Sequence, residues 1–551
     1  MILQGLYVIT RLKVDSWLHF PPFKSTPGCK VENERSCLQA VPTEQDKQVV
    51  KSENVVKGEK LSFTSNKYST VELVRNPGVF KVGDVIQILI NARSEQNLTK
   101  KCGGDYFRVK LYTAKSKSST SFDVTNDLGN GTYVENVTLR WPGMMEIHVS
   151  MIHCAEAVRV LEKIRGPDQP ARMVFTGRYM TTVDKKPVFE DRKCVPEVIA
   201  DESACDFTDN RTGYPFFCQL PTNGALKCDD WTMWVTNGSS ASFCLDMLTE
   251  EEKQYLSMHK VPIKGSPIVF NVNNNTNDWL GNMTKYQKSL PPCLPGQHLK
   301  NAIPSGFFFN DVWYSDQCEI QRPDKAEALA CMRNRDIYIY GDSTVRQYYD
   351  FLASAYGPTL RGKRPRDKTE TQAGPKVAAD TTNNITVHYN FQGFPARPSS
   401  FLRRNSLDYI VNRLDSQEAN DRTVVLICVG THYTIYSLEM YLQRIKDIRA
   451  AVERLHARSP NTLVVLKSAN TRNHKGLISI LTNSEWYIKT IDLKMREVFS
   501  DYAKVAFIDA WDITVAQNFP HNVHPKAPVL KNLVNYFFSF MCPKDEPVSQ
   551  H

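Results

Sequence analysis

At 551 residues the chain is too long for one ordinary core, and a prior of about three or four domain-sized units makes at least two domains the expectation. Its 41% hydrophobic and 23% charged content is that of a globular protein and argues against long-range disorder. A formal net charge of +9 over so large a surface is too mild to imply a nucleic-acid partner, and it leaves room for an anionic glycan or an anionic cofactor.

Residues 1–60 have weak periodicity and a polar run around Glu44-Gln45-Asp46-Lys47, which reads as an irregular leader. The opening Met1–Ile9 is apolar but is followed, not preceded, by Arg11 and Lys13, so it fits a secretory leader poorly. Elsewhere no run of about eighteen uncharged apolar residues occurs, and no transmembrane segment is expected. From Ser69 the texture changes to short alternating segments: Thr70–Val74, Val85–Ile90, Phe107–Tyr112, Gly131–Val137 and Met145–Met151. Turn residues such as Asn76-Pro77-Gly78 and Asn130-Gly131 separate them, which predicts an Ig-like β-sandwich at about residues 65–165.

Residues 166–300 are rich in cysteine, proline and asparagine, with isolated tryptophans at 231, 234 and 279; they read as a loop-rich, cysteine-rich module held by disulfides. Of the fourteen cysteines, twelve lie between Cys29 and Cys331, and only Cys428 and Cys542 follow. That distribution describes a disulfide-stapled front half joined to a larger, self-sufficient core. No cysteines form paired knuckles two residues apart, so zinc ribbons are not expected. Eight Asn-x-Ser/Thr sequons, at Asn97, Asn130, Asn136, Asn210, Asn237, Asn274, Asn282 and Asn384, add to the case for an oxidising secretory compartment.

The last unit, residues 301–551, opens with an approach segment containing Trp313 and Cys318, a place for a packing disulfide. Beyond Arg335 strands and helices alternate. Strands are predicted at Asp336–Tyr340, Ile385–Tyr389, Thr423–Val429, Leu463–Lys467 and Val505–Asp509, and helices at Thr344–Tyr356, Leu438–His456 and Glu485–Phe499. This order implies an α/β domain with a parallel sheet and crossover helices. The basic run Arg361–Lys368 reads as a solvated loop, with contact to an acidic glycan or to a donor's phosphates as the functional alternative; Pro365 would hinder cleavage there.

The first strand runs into Gly341-Asp342-Ser343, which delivers a serine to the carboxyl end of a strand and the amino end of a helix. A serine needs a base to take its proton and donors to hold the oxyanion, and both belong on other loops at the same edge. Two loops qualify: Gly430-Thr431-His432-Tyr433, and Ala510-Trp511-Asp512 leading to His521-Asn522-Val523-His524-Pro525. His521 and His524 lack a third ligand and sit between Pro520 and Pro525, so no metal is expected on them. Trp511 reads as core, and Cys428 as an inert buried thiol.

Gly-Asp-Ser followed by Val-Arg-Gln resembles the first block of the SGNH (GDSL-like) esterases, in particular the PC-esterase branch, which includes glycan O-acetyltransferases. With a sandwich and a cysteine-rich module that resemble neurexophilin ahead of it, the chain resembles the neurexophilin and PC-esterase domain (NXPE) family over about residues 60–551. The resemblance implies Ser343 as nucleophile, its own amide as one oxyanion donor, and His524 as general base. A loop glycine is expected as a second donor, and Gly393 in Asn390–Phe394 is the candidate. The third block of such enzymes offers Gly-x-Asn; this chain has Gly430-Thr431-His432, so an imidazole N–H stands where an amide donor is expected. The last block reads Asp-x-x-His, and here position 521 is a histidine, which cannot replace the carboxylate that orients the base. Either Asp512 or Asp509 supplies that group, or the site works as a dyad, or it has decayed. Arg346, one helical turn beyond Ser343, is placed to contact an acyl or sugar oxygen or to pair with a structural carboxylate.

The resemblance further implies O-acetyl transfer to glycoprotein glycans, sialic acid among them, with acetyl-CoA as acyl donor and no tightly bound cofactor. The setting it implies is the Golgi lumen or secretion. A carbohydrate O-acetyl esterase is the near alternative. The rival of another class is a secreted glycoprotein ligand whose sandwich binds a cell-surface receptor and whose esterase fold is inactive.

Overall fold

The computed structural model describes residues 63–544 except 75–77, 167–174, 197, 200–203, 209–214, 236–242, 275–277, 298–303, 357–360, 363–372, 394–401 and 404–407. The expected leader, the sequons at Asn210 and Asn237 and most of the basic run at 361–368 lie outside the described residues. The architecture is mixed α and β, with several sheets.

The alternating segments of the front half pair as their periodicity predicts, because every second side chain can be buried on one face. In Val85–Asn91 the buried positions are Ile86, Ile88 and Ile90, and in Gly143–His153 they include Met145, Ile147, Val149 and Met151. A three-stranded sheet (Thr70–Leu73, Val85–Asn91, Thr132–Thr138) and an eight-stranded sheet share one apolar core with these residues. Several components of the larger sheet lie outside the predicted strands, among them Ser118–Asp123, Ile268–Asn273 and the hairpin Gly306–Phe309/Val312–Ser315. A boundary at residue 301 assigns that hairpin to the final domain, yet Phe308 pairs with Ser119 and completes the front sheet.

The cysteine-rich module folds around a six-stranded antiparallel sheet that includes Phe175–Val183 and Lys186–Val195. Disulfides Cys194–Cys218 and Cys205–Cys228 lie within it; Cys293–Cys318 and Cys331–Cys542 tie down the approach and the end of the last domain. Cys428 is a free, buried thiol, and burial pushes its pKa up to about 12. Of the sequon asparagines described, Asn130, Asn136, Asn274, Asn282 and Asn384 are exposed, and Asn97 is half-buried.

The last domain is built on strands β1 (Asp336–Gly341), β2 (Lys376–Asp380), β3 (Ile385–Phe391), β4 (Thr423–Cys428), β5 (Leu463–Lys467) and β6 (Val505–Ile508). Its helices used below are α1 (Ser343–Ala355), α2 (Leu438–Arg458), α3 (Gly476–Asn483), α4 (Glu485–Phe499), α5 (Ala510–Ala516) and α6 (Ala527–Met541). Strands β3, β1, β4, β5 and β6 are parallel and lie in that order, with β2 antiparallel at the β3 edge. The strands read as continuous apolar runs because helices cover both faces; all six residues of β4 are buried.

The front sheet packs against the β6 end of this domain. Trp511 Nε1 donates to Asp123 Oδ2 at 3.0 Å, Ser119 Oγ to the Ala516 carbonyl at 2.6 Å, and Lys110 Nζ to the Gln517 carbonyl at 2.8 Å. Trp511 is fully buried, as core.

Candidate active site

The strand order β3-β1-β4-β5-β6 reverses its winding direction between β1 and β4, where open α/β sheets form a crevice at their carboxyl ends. Ser343 stands there, as the first residue of α1 directly beyond β1. Gly341 makes the corner. Its φ is +149°, and a Cβ would lie 2.1 Å from the Cys428 carbonyl oxygen on β4, so only glycine lets β1 stay paired there.

Asp342 caps α1 and is completely buried. Its Oδ1 accepts from the Thr344 amide at 2.8 Å and from Thr344 Oγ1 at 2.6 Å, and its Oδ2 accepts from the Thr431 amide at 3.2 Å. One carboxylate thus fixes the serine turn to the loop after β4. The Ser343 amide, in the first turn, has no acceptor within the helix and is free by position to meet an oxyanion at the positive end of the helix dipole.

Ser343 is half-buried, and its Oγ lies 2.7 Å from His524 Nε2. The two residues are 181 positions apart in the chain. His524 is carried by the loop between α5 and α6, which three side chains hold. Asn522 Oδ1 accepts from the His524 amide at 3.1 Å, Asn470 Nδ2 donates to the Val523 carbonyl at 2.8 Å, and Gln347 Nε2 on α1 donates to the Pro525 carbonyl at 3.4 Å. Although His524 is exposed at the mouth of the site, its ring is partly withdrawn from water, which lowers its pKa. Asp342 acts against that shift, while Arg346 and Arg472 add to it. The ring is therefore neutral at neutral pH, the form that accepts a proton from serine.

Asp509 and Asp512, the two carboxylates proposed to stand behind His524, have other partners. Asp509 caps α5 through the Asp512 amide at 3.0 Å and accepts from Arg496 Nη2 at 2.8 Å. Asp512 Oδ2 accepts from the Ser305 amide at 2.9 Å; burial and the neighbouring Asp509 raise its pKa to about 7. Both serve the junction between β6 and α5. Among the described residues no carboxylate hydrogen-bonds the His524 ring, so the arrangement is a Ser–His dyad. His521, at the position where a carboxylate is expected, lies near Lys260, Glu485, Lys110 and Arg108; burial brings its pKa to about 3.

The remaining sequence-derived residues are placed on the loops flanking β1. Gly393, buried with φ +77°, follows β3; Gly430 and His432 follow β4, with the His432 ring edge-on to Phe391 at 5.2 Å between centroids. Arg346 Nε is 3.5 Å from Asp350 Oδ2 on the next turn of α1. Sequence reasoning missed Asn470, Arg472 and Gln347. The one signal available was position: Lys467-Ser468-Ala469-Asn470 closes a buried strand at the same sheet edge. Lys467 Nζ donates to the Ser468 carbonyl at 2.8 Å and to Asn470 Oδ1 at 2.9 Å, which orients the Asn470 amide towards Val523.

Among solved structures, a Bacteroides fragilis protein classed as an acylhydrolase is similar at 14% identity and a TM-score of 0.23, over 40% of this chain and 90% of that one. An active-site mutant of a family two carbohydrate esterase from Clostridium thermocellum is similar at 9% identity and a TM-score of 0.19, over 85% of this chain and 95% of that one. Residues 313–542, which hold Ser343, His524 and the whole parallel sheet, match the family described as NXPE family member 4-like, C-terminal domain.

Proposed function

We propose that the protein is a serine-dependent O-acyltransferase that moves an acetyl group onto hydroxyls of glycoprotein glycans, sialic acid among them, in the secretory pathway. The observation that carries the reading is the 2.7 Å contact between Ser343 Oγ and His524 Nε2 at the crevice of the parallel sheet. In the first half-reaction His524 takes the Ser343 proton while Oγ attacks the acetyl carbonyl of a donor such as acetyl-CoA. The tetrahedral oxyanion forms beside the Ser343 amide, with Gly393 and the Gly430–His432 loop as further donors. Collapse breaks the carbon–sulfur bond, and His524 returns the proton to the departing thiolate, leaving acetyl-Ser343. A sugar hydroxyl then gives its proton to His524, attacks the acetyl carbon and releases Ser343, which recovers the proton. Arg346 and Arg472 supply positive charge near the site for an anionic donor or acceptor.

A dyad can do this chemistry because Asn470, Asn522 and Gln347 hold the His524 loop by its backbone. That is part of the orienting work a third carboxylate performs elsewhere. Disulfides such as Cys194–Cys218, Cys205–Cys228, Cys293–Cys318 and Cys331–Cys542 support the secretory setting, and no helix among the described residues is long and apolar enough to cross a membrane. The partly accessible serine favours an enzyme over an inactive ligand.

The test is expression of wild type and Ser343→Ala in cells lacking the activity, followed by analysis of O-acetylated sugars on secreted glycoproteins. Acetylation restored by wild type alone is expected; equal acetylation in wild type, variant and empty vector sinks the proposal. Incubating purified protein with an acetyl ester, with and without a sugar acceptor, separates transfer from hydrolysis.

A further inference from the structure

Three histidines and a glutamate that the Ser343–His524 dyad does not use converge from four segments. His153 ends a strand of the front sheet, His259 follows the helix Glu250–Ser257, His474 lies between β5 and α3, and Glu485 opens α4. One ligand atom from each of His259, His474 and Glu485 lies within 4.8 Å of the others. The rings of His153 and His259 are 5.0 Å apart between centroids, and those of His259 and His474 4.8 Å.

Hydrogen bonding marks out the lone pairs. His474 Nε2 meets the Asn483 carbonyl at 2.6 Å and so carries the proton, leaving Nδ1 an unprotonated lone pair in the neutral ring. That Nδ1 is buried and has no hydrogen-bond partner, nor has His259 Nε2; His153 is fully buried with neither nitrogen satisfied. Orphaned imidazole nitrogens gathered in one cluster call for a partner. A histidine whose second nitrogen donates to a backbone carbonyl is oriented as metal-binding histidines are.

Glu485 completes the set as a charged carboxylate. Burial opposes its ionisation, but Lys260 and Arg108 outweigh it. Its Oε2 accepts from Lys260 Nζ at 3.0 Å and from Arg108 Nη1 at 3.3 Å, and its Oε1 accepts from Thr471 Oγ1. Arg108 is already balanced by Asp123 at 2.7 Å, and Lys260 Nζ also meets the Arg472 carbonyl at 3.3 Å, a second acceptor for the ammonium if Glu485 turns to another cation.

We infer that His259 Nε2, His474 Nδ1 and Glu485 form a binding site for a divalent cation of the zinc class, with His153 as the adjoining imidazole. Imidazole and carboxylate donors suit zinc, whose tetrahedral ligands stand about 3.3 Å apart at bond lengths of about 2.0–2.2 Å, so the side chains close in by roughly 1.5 Å on binding. The role is structural: the ligands come from both halves of the molecule. His474 lies in the same segment after β5 as Asn470, which holds the His524 loop, so the metal would lock the front half to the segment that positions the base.

The experiment uses the full-length, disulfide-intact protein and zinc alone as probe. After loading and gel filtration, elemental analysis is expected to find about one more zinc per chain in wild type than in a His259→Gln/His474→Gln variant, and zinc is expected to raise the melting temperature of wild type only. Cobalt substitution of wild type is expected to give the visible absorption of a tetrahedral nitrogen/oxygen site, a readout that needs no variant to fold. Zinc content equal in wild type and folded variant, or a cobalt spectrum no different from the aqueous ion, overturns the assignment.

Discussion

The substitution Gly341→Ala tests the corner on which the site is built. The added Cβ would stand 2.1 Å from the Cys428 carbonyl oxygen and 2.8 Å from Val345 Cγ2. Ordinary contact begins near 3.4 Å, so β1 and β4 would have to separate by about 1.3 Å at the pair where they meet in register. Neither neighbour is a free side-chain end: one is backbone of a fully buried strand, the other a buried methyl under α1. Overpacking of this kind costs about 1–3 kcal/mol, and holding alanine at φ +149° adds about 1–3 kcal/mol. The sum, about 2–6 kcal/mol, is a large part of the stability of a typical domain. The denaturant midpoint of the last domain should therefore fall markedly. Labelling of Ser343 by a fluorophosphonate, which needs only an activated serine, should slow, because the same shift moves Oγ away from His524. A variant with the wild-type midpoint and the wild-type labelling rate would refute the geometry described for this turn.

Three further outcomes follow from the site and its supports. Because burial lowers the His524 pKa, the acid limb of kcat/KM should lie below the ordinary imidazole value of about 6.5, activity falling as pH drops through it. Arg472→Gln removes a neighbouring cation and should move that limb upward; a limb above 6.5 in wild type contradicts the electrostatic reading. Asn470→Ala removes the donor to Val523 and an acceptor for Lys467. It should lower kcat by about 10- to 100-fold through misplacement of His524, with KM nearly constant and about 1–2 kcal/mol of stability lost. A KM effect without a kcat effect would show that the loop is not positioned in this way. Replacing both Cys331 and Cys542 by serine opens a link across 211 residues and should destabilise the last domain by about 2–5 kcal/mol in chemical denaturation; an unchanged midpoint would show that helix packing alone closes the domain.

The parallel sheet was legible because its strands are short apolar runs separated by amphipathic helices, a pattern few other folds produce. Helix α6 lies outside the predicted helices; its Tyr536–Met541 run is buried throughout, and a short apolar run of that kind does not tell a buried helix from a buried strand. Ser118–Asp123 was missed for the opposite reason. It is Ser-Ser-Thr-Ser-Phe-Asp, polar in sequence yet buried throughout, its hydroxyls satisfied by partners such as the Val109, Gly306 and Ala516 carbonyls. In the site, Ser343 and His524 each lie at a strand end or a late loop and could be named. The carboxylate could not, because sequence shows which aspartates are near in the chain but not that Arg496 and Ser305 already hold them. Asn470 and the His153–His259–His474 cluster had no local pattern to betray them, their partners being distant in the chain.

The hydrogen bond from Trp511 to Asp123 joins residues 388 positions apart, and that distance is also a delay during synthesis. At about 5–20 residues per second, the strand Ser118–Asp123 waits some 20–80 s for its tryptophan. It also stays an unpaired edge until the Gly306–Phe309 hairpin strand arrives to cover it. The nascent front half therefore spends tens of seconds as an open sheet. Whatever shields this edge during that interval would govern the yield of folded protein, though it never touches Ser343.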